Sequence, residues 1–142
     1  MELAYAHNGV YVGTADIPFF NDKAVTTITN GKFHDSLWSC IDVWSTNTII
    51  KNNEIYHCWH QGIGIKGPGI NLIEGNQIHD AQLSVNCEDG AKPNINHNRF
   101  AAAPLGSDCP VGAGNQDIGR VADTAGGTYN EKLIYPSNAA LP

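Results

Sequence analysis

Ile50-Lys-Asn-Asn53-Glu-Ile55 is matched further along the chain by Ile73-Glu-Gly-Asn76-Gln-Ile78. The same pattern occurs before it, in Ile28-Thr-Asn-Gly31-Lys-Phe33, and after it, in Ile95-Asn-His-Asn98-Arg-Phe100. Each unit has Ile first, Asn or Gly three places on, and Ile or Phe two places further. The leading isoleucines recur with a period of about 22 residues, and a period of this length is the signature of a stacked repeat protein. The middle of the chain is therefore predicted to be a repeat array.

A second pattern of apolar residues two places apart follows each unit. Alternating apolar and polar residues form strands with one buried face, and no single coil can bury that face alone. Stacked coils supply the core, with equivalent residues of neighbouring coils ~4.8 Å apart. The strands of this second pattern are Val10-Tyr-Val12, Ile41-Asp-Val43, Ile63-Gly-Ile65, Leu83-Ser-Val85 and Leu105-Gly-Ser107.

These patterns predict an all-β fold, a right-handed parallel β-helix of about four to five coils. The coils are expected to occupy residues 1–110, with a loop insertion at about residues 13–23. The repeat is expected to stop at Pro110, and residues 111–142 are expected to form an irregular C-terminal cap or tail.

The recurring asparagines Asn53, Asn76 and Asn98 fall at one bend of successive coils. A stacked amide side chain can donate to the next coil and accept from the previous one, and Asn tolerates the left-handed backbone that a sharp bend needs. Gly31 meets the same backbone demand without a side chain. An asparagine ladder is therefore predicted to begin at Asn53.

The I-x-x-N-x-[IF] units and the G-I-G-I and L-S-V strands make the chain resemble the pectate-lyase-like superfamily of right-handed β-helices. The resemblance covers roughly residues 25–110. It is specific for the fold but not for an activity, because one fold hosts many functions. Lyases, hydrolases, epimerases, viral spikes and plain scaffolds share this architecture.

The four cysteines form no C-x-x-C pair, which argues against a zinc ribbon. Cys87 and Cys109 are separated by one coil length. Stacked equivalents lie within the distance that a disulfide allows, so these two are expected to be adjacent, and bonded if the chain is extracellular. Cys40 and Cys58 are closer together than one coil length, hence out of register, and are expected to stay unpaired.

The composition excludes some partners. The net charge is −6 and the eight Lys and Arg residues are scattered, so no nucleic-acid partner is expected. No apolar run approaches ~18 residues, so no membrane insertion is expected. No signal peptide is visible after Met1, and the expected location is nonetheless extracellular or at a cell or virion surface.

The segment Gly62-Ile-Gly64-Ile-Lys-Gly67 matches the dinucleotide-binding pattern G-x-G-x-x-G. That interpretation requires a helix directly after the glycines, but Pro68 and Gly69 follow instead. We interpret the glycines as tight-turn residues, and no cofactor is expected.

The candidate site is a stripe that follows the asparagine bend. Two columns of side chains are predicted there, and tryptophans lie in the same connecting segments. In the superfamily this edge commonly borders the saccharide groove, and aromatic faces, imidazoles and carboxylates suit sugar binding and proton transfer. The columns are His34, Tyr56 and His79, and Asp35, His57 and Asp80, with Trp38, Trp59 and His60 beside them and Asp42 facing outward on the next strand.

From these residues we expect His34, Asp35, Tyr56, Trp59, His60 and His79 to bind a polysaccharide or glycan. The catalytic candidates are Asp42, His57 and Asp80, but no complete catalytic set can be recognised, so whether any bond is broken stays open. A lyase would also need a cation for a uronate carboxylate, for which Lys66 is best placed.

Three alternatives remain. The columns can be purely structural, with satisfied hydrogen bonds, and the tryptophans can be lids over the core. Asp35, His57 and Asp80 can be metal ligands only if their side chains lean together, so no metal ligand is assigned. The chain can instead be a structural or assembly subunit (a spike, sheath or surface scaffold), as a homo-oligomer or with further coils from another chain.

Overall fold

The computed structural model describes residues 1–4, 8–13, 24–101, 105–110 and 112–117. The regular elements of these residues are all strands, as the alternating pattern predicts. They are β1 (Glu2–Ala4), β2 (Val10–Gly13), β3 (Val25–Thr29), β4 (Lys32–Ser36), β5 (Ser39–Trp44), β6 (Asn47–Lys51), β7 (Glu54–Lys66), β8 (Asn71–Glu74), β9 (Gln77–Glu88), β10 (Asn94–Asn96), β11 (Arg99–Ala101) and β12 (Gln116–Asp117).

The strands form two parallel sheets, which confirms the predicted parallel β-solenoid. An eight-stranded sheet has the order β1-β4-β7-β9-β11-β12, with β2 and β5 pairing alongside, and a four-stranded sheet has the order β10-β8-β6-β3. The chain alternates between the sheets and completes about four turns. The predicted loop at residues 13–23 lies almost entirely outside the described residues, as does most of the predicted tail.

The interior consists of side chains stacked in columns from coil to coil. Ile28, Ile50, Ile73 and Ile95 are register partners on successive strands of the four-stranded sheet, and all four are buried. In the eight-stranded sheet, the first buried side chain of each of β4, β7, β9 and β11 belongs to a second column: Phe33, Ile55, Ile78 and Phe100. Both predicted columns are confirmed.

The predicted alignment of Leu83-Ser-Val85 with Ile63-Gly-Ile65 was wrong by two places. Ile63 pairs with Val85, and Leu83 pairs with Gln61. The true partners Ile41, Ile63 and Val85 keep a constant spacing of one coil length. The sequence Leu83-Ser-Val85-Asn-Cys87 has three apolar residues in alternation, and taking the first two placed the strand too early.

The asparagine ladder is confirmed and lies inside the protein. Asn53 Nδ2 donates to Asn76 Oδ1, and Asn76 Nδ2 donates to Asn98 Oδ1, each at 3.0 Å. Each Oδ1 also accepts the backbone N–H of the preceding coil, including Gly31 N–H on Asn53 at 2.9 Å. The ladder therefore begins at Asn53, and all three side chains are buried.

The left-handed residue of each bend is the one before the ladder residue. The prediction that the ladder asparagines and Gly31 themselves adopt the left-handed conformation was therefore wrong. Asn30, Asn52, Gly75 and His97 have φ between 54° and 67°. The ladder residue then needs an ordinary backbone and contributes only its amide. Residue types that tolerate positive φ best, Asn and Gly, hold three of these four positions.

The repeat also extends beyond Pro110, where it was expected to stop. Asn115 Oδ1 accepts Asn98 N–H at 3.0 Å, and Gln116 and Asp117 pair with Arg99 and Phe100. Gly114, with φ 71°, occupies the left-handed position before Asn115. The apolar residues that mark the earlier coils are missing here, so only the Gly-Asn pair identifies the turn in the sequence.

Two disulfides join the coils. Cys87–Cys109 is bonded, as its one-coil spacing predicts for an oxidising environment. Cys40–Cys58 is also bonded, which contradicts the expectation that both would stay unpaired. Cys58 pairs in register with Ser36, and the turn after Ser36 brings Cys40 back inside the corner. The bond crosses a corner instead of following a column, so spacing could not predict it.

Replacing Asn76 with Ala tests the ladder. Asn53 would lose the acceptor of its backbone N–H and of its Nδ2 group, so the free energy of unfolding should fall by about 1–3 kcal/mol. Denaturant titration measures this. Asn94→Ala, at an exposed position of β10, is the control and should change stability by no more than about 0.5 kcal/mol. Equal effects of the two substitutions would contradict the role of the ladder.

Replacing both Cys40 and Cys58 with Ser tests the unexpected disulfide. Opening a loop of this length should lower the free energy of unfolding by about 3 kcal/mol. In the unmodified, non-reduced protein, iodoacetamide should label none of the four cysteines, as mass spectrometry would measure. Because both cysteines are buried, the labelling is done in denaturant without reductant, and labelling of Cys40 or Cys58 there would disprove the bond.

Candidate functional site

The outward side chains of β5, β7 and β9 form rows across the eight-stranded sheet. One row is Asp42, Gly64 and Asn86, and the next is Trp44, Lys66 and Glu88. Successive members of each row are one coil length apart, so the coil repeat alone aligns them. These rows form the floor and one wall of a depression.

We call this depression the cleft. Its volume is about 200 Å³. Two tryptophans, two carboxyl side chains and a lysine line it, and β7 contributes five of the nine described lining residues. The lining residues are Trp38, Asp42, Trp44, His60, Gln61, Gly64, Ile65, Lys66 and Glu88.

Asp42 lies at the floor of the cleft with only 6% of its surface exposed. Burial raises the pKa of its carboxyl above the ordinary value, and the nearby Glu88 carboxylate raises it further. The hydrogen bond with Trp44 and the charges of Lys66 and His60 act in the opposite direction. The net shift of the pKa is upward, so Asp42 holds its proton to a higher pH than a free aspartic acid.

Gly64 lets two polar side chains pack over the floor of the cleft. A Cβ atom at this position would meet Asp42 Oδ1 at 2.7 Å and would also collide with Gln61 Nε2. The Gln61 amide and the Asp42 carboxyl group therefore occupy the space that a side chain would need here. The absence of a side chain at the middle of the row is what allows these two groups to lie side by side over Gly64.

An aromatic cluster borders the cleft. The Trp38 ring stacks on the His60 imidazole with centroids 4.3 Å apart, and Trp59 packs edge-on against Trp38 at 5.8 Å. His60 Nδ1 and Gln61 Oε1 are 2.8 Å apart, which fixes the imidazole. Trp38 keeps 37% of its surface exposed, so one part of the ring is available to solvent.

The first predicted column is also formed, at the bend before the cleft. Tyr56 is sandwiched between His34 and His79, with ring centroids 4.6 Å and 5.0 Å apart and nearly parallel planes. Burial, followed by the Glu54 charge, raises the pKa of the Tyr56 phenol, which therefore stays protonated. Stacked rings at one coil spacing stabilise the sheet at this position.

The second column connects with the first into a chain of alternating carboxylates and imidazoles. His34 Nδ1 contacts Asp35 Oδ2 at 2.6 Å, and His79 Nδ1 contacts Asp80 Oδ2 at 2.8 Å. His57 lies between the two carboxylates, 3.4 Å from Asp35 Oδ1 and 3.7 Å from Asp80 Oδ2. We call these five residues the imidazole–carboxylate chain.

The backbone explains why polar residues occupy this column. Asp35, His57 and Asp80 have φ of 53°, 50° and 54°, a left-handed conformation that Asp and His adopt more readily than most residues. Asp80 is completely buried, and Asp80 Oδ1 has no hydrogen-bond partner. In such a column, an imidazole of one coil can compensate the carboxylate charges of the neighbouring coils. Asp80 is too deeply buried to reach a ligand in this conformation.

The structure therefore divides the predicted stripe in two. Asp42 and His60 line the cleft together with Trp38, and Trp59 supports Trp38 from the side. The other predicted residues, His34, Asp35, Tyr56, His57, His79 and Asp80, lie in the largely buried columns. Their assignment to saccharide binding or catalysis stays a prediction.

Sequence reasoning missed Trp44, Gln61 and Glu88 as cleft residues. The signal was available for two of them, because Trp44, Lys66 and Glu88 are spaced by one coil length. Gln61 is also one coil length from its register partners, Ser39 and Leu83, but neither of these lines the cleft, so the spacing did not single out Gln61.

Two other possibilities have less support. A depression of about 550 Å³ beside Cys87–Cys109 is lined by small residues with Lys92 and Asp108, and none of its described lining residues is aromatic. Among the described residues no group of three His, Cys, Asp or Glu side chains is arranged to hold a metal ion. Within the same ranges no helix is long and apolar enough to cross a membrane.

A family model described as a right-handed β-helix region matches residues 4–117. Comparison with curated proteins and with solved structures gives no match.

The imidazole–carboxylate chain makes stability depend on pH through Asp35. Burial acts to raise the pKa of this carboxyl, but hydrogen bonds with His57 and His34 outweigh it, so the pKa lies below the ordinary 3.8. A carboxyl with a depressed pKa stabilises the folded state above its unfolded pKa, and that contribution is lost as the pH falls through the folded pKa.

Asp35→Asn should therefore lower the melting temperature at about pH 6, and the difference from the unmodified protein should shrink below about pH 4. Asn is suitable because it also tolerates the left-handed backbone. Thermal melts followed by circular dichroism across this range measure the effect. Asp108→Asn, at an exposed position, is the control. A difference that stays constant with pH would contradict the proposed charge contacts of Asp35.

Proposed function

The chain belongs to the right-handed β-helix family, and from that premise we propose that its cleft binds a saccharide. One observation carries the proposal: Trp38 and Trp44 flank a buried carboxylate in the same cleft. Sugars present apolar ring faces and hydroxyl edges together. Binding sites of this kind combine apolar or aromatic surface with a few precisely placed polar groups.

The polar groups at the floor suit hydroxyl recognition. Asp42 accepts hydrogen bonds, and the Gln61 amide both donates and accepts. Both groups lie over Gly64, close enough together to contact neighbouring hydroxyls of one sugar. The cleft volume of about 200 Å³ is smaller than that of a pocket for a drug-sized ligand, so the cleft holds one sugar unit of a longer glycan.

We propose binding and not turnover. Hydrolysis of a glycoside requires two carboxyl groups that flank the scissile bond. Asp42 is an acid with a raised pKa, but Glu88 is in contact with Lys66 and Asn86 on the cleft rim. The two disulfides support an extracellular setting, because such bonds persist in oxidising compartments.

A structural or assembly role is the second candidate, and exposed apolar residues beside the four-stranded sheet support it. Ile70, just before β8, is 74% exposed, and Val25, at the start of β3, is 55% exposed. Exposed large apolar residues favour contact with another chain. A solution mass above that of one chain, lost on replacing Ile70 with Lys, would support this role, whereas a monomer at high concentration would oppose it.

Replacing Trp38 with Ala tests saccharide binding. Trp38 lies outside the core, so the fold should stay intact while retention on a glycan column falls at least about tenfold, the loss expected for one stacking ring. Affinity chromatography on a panel of immobilised polysaccharides measures retention, and circular dichroism checks the fold.

Ile70→Ala is the matched control, because it removes an exposed apolar side chain away from the cleft and should leave retention unchanged. Trp59→Ala distinguishes direct contact from support, since its ring contacts Trp38 edge-on. Failure of the unmodified protein to bind any glycan in the panel would reject the proposed function.

A further inference from the structure

Acidic side chains outnumber basic ones around the cleft. Among the described residues that line it, Lys66 is the only lysine or arginine, whereas Asp42 and Glu88 both contribute carboxyl groups. Asp89, next in the chain, adds a third carboxylate 3.5 Å from Lys66 Nζ. His60 is the remaining titratable group, and its Nδ1 contacts Gln61.

Lys66 is already engaged by the protein. Its ammonium group is 3.9 Å from Glu88 and 3.5 Å from Asp89, and it lies 4.5 Å from the centroid of the Trp44 ring. An anionic ligand would compete with two carboxylates for this cation. It would also approach the Asp42 and Glu88 charges, and repulsion at such distances opposes binding.

The carboxylates are held in position to receive a cation. Asn86 Nδ2 donates to Glu88 Oε1 at 2.8 Å and orients this carboxylate at the rim. Asp42 is fixed at the floor by burial and by its hydrogen bond with Trp44. Asp42 Oδ1 lies over Gly64 beside the Gln61 amide, and an indole face attracts cations, as the position of Lys66 over the Trp44 ring illustrates.

We infer that the cleft selects a sugar bearing a protonated amino group over a uronate. This inference rests on the proposed saccharide-binding function and specifies its ligand class. The ammonium group of the sugar would contact the Asp42 carboxylate, the sugar ring would lie against a tryptophan, and its hydroxyls would contact Gln61. An acetylated amino sugar keeps the ring and the hydroxyls but loses the charge.

Three oligosaccharides of equal length test the inference by isothermal titration at low salt and about pH 6: glucosamine, N-acetylglucosamine and galacturonate tetramers. The glucosamine oligomer should bind about tenfold more tightly than the acetylated one, as one favourable charge contact gives, and the uronate most weakly. Added salt should reduce the difference between the first two.

The outcomes separate the inference from the proposed function. Equal or tighter binding of the uronate or of the acetylated oligomer would overturn the preference for a cationic sugar and leave saccharide binding in place. No binding of any of the three, together with no retention on the wider polysaccharide panel, would reject both.

Asp42→Asn and Glu88→Gln assign the preference to these carboxylates. Asp42→Asn should remove the expected preference, about tenfold, for glucosamine over N-acetylglucosamine, measured as the ratio of the two affinities, and Glu88→Gln should reduce it. If Asp42→Asn fails to fold, Glu88→Gln still tests the inference, because this side chain lies on the exposed rim. Glu74→Gln is the control: it makes the same charge change on β8, where Glu74 pairs with Lys51 at 3.1 Å, and should leave the ratio unchanged. An equal effect of the control would attribute the preference to net charge and overturn the assignment.

Discussion

Each coil passes from the four-stranded sheet to the eight-stranded sheet at a buried bend, where backbone N–H and C=O groups need partners within the protein. The ladder asparagine supplies them. Asn76 accepts from the Asn53 backbone, donates to the Ile50 carbonyl and donates to Asn98, and so connects three coils with one side chain. This arrangement works only in one register. The columns of isoleucine inside and the rows of side chains outside are then fixed together.

The interior of the fold could be predicted because the same demand recurs in every coil. Ile28, Ile50 and Asn53 are identified by spacing and by residue type at once. Local departures from the repeat could not be predicted in the same way. The irregularity after Cys58 adds a residue to one strand, and the Cys40–Cys58 bond crosses a corner. Both depend on how a bend closes in three dimensions, which a linear period does not encode.

The candidate site was predictable in position but not in composition. Residue type alone selected His57 and Asp80 as readily as Asp42, because burial cannot be read from a single turn with many polar residues. In the folded chain the left-handed bend turns Asp80 inward, whereas the strand after the bend leaves Asp42 below an opening. Carboxylates of similar sequence context thus have different environments. Asp80 contacts a side chain of the neighbouring coil, and Asp42 faces the cleft.

A stacked repeat tends to produce a continuous outer surface, because equivalent side chains fill each row without a gap. A local cleft requires one coil to break its row, and here Gly64 leaves a gap between Asp42 and Asn86 into which the Gln61 amide and the Asp42 carboxyl group pack. The coil before the gap provides the carboxylate, the coil with the gap provides Gln61 and Lys66, and the coil after it provides Glu88. Binding chemistry can therefore be confined to three adjacent coils while the ladder and the core remain regular. Loss of register by a single position would turn Asp42 into the core and close the cleft, so any function of this surface depends on the buried amides.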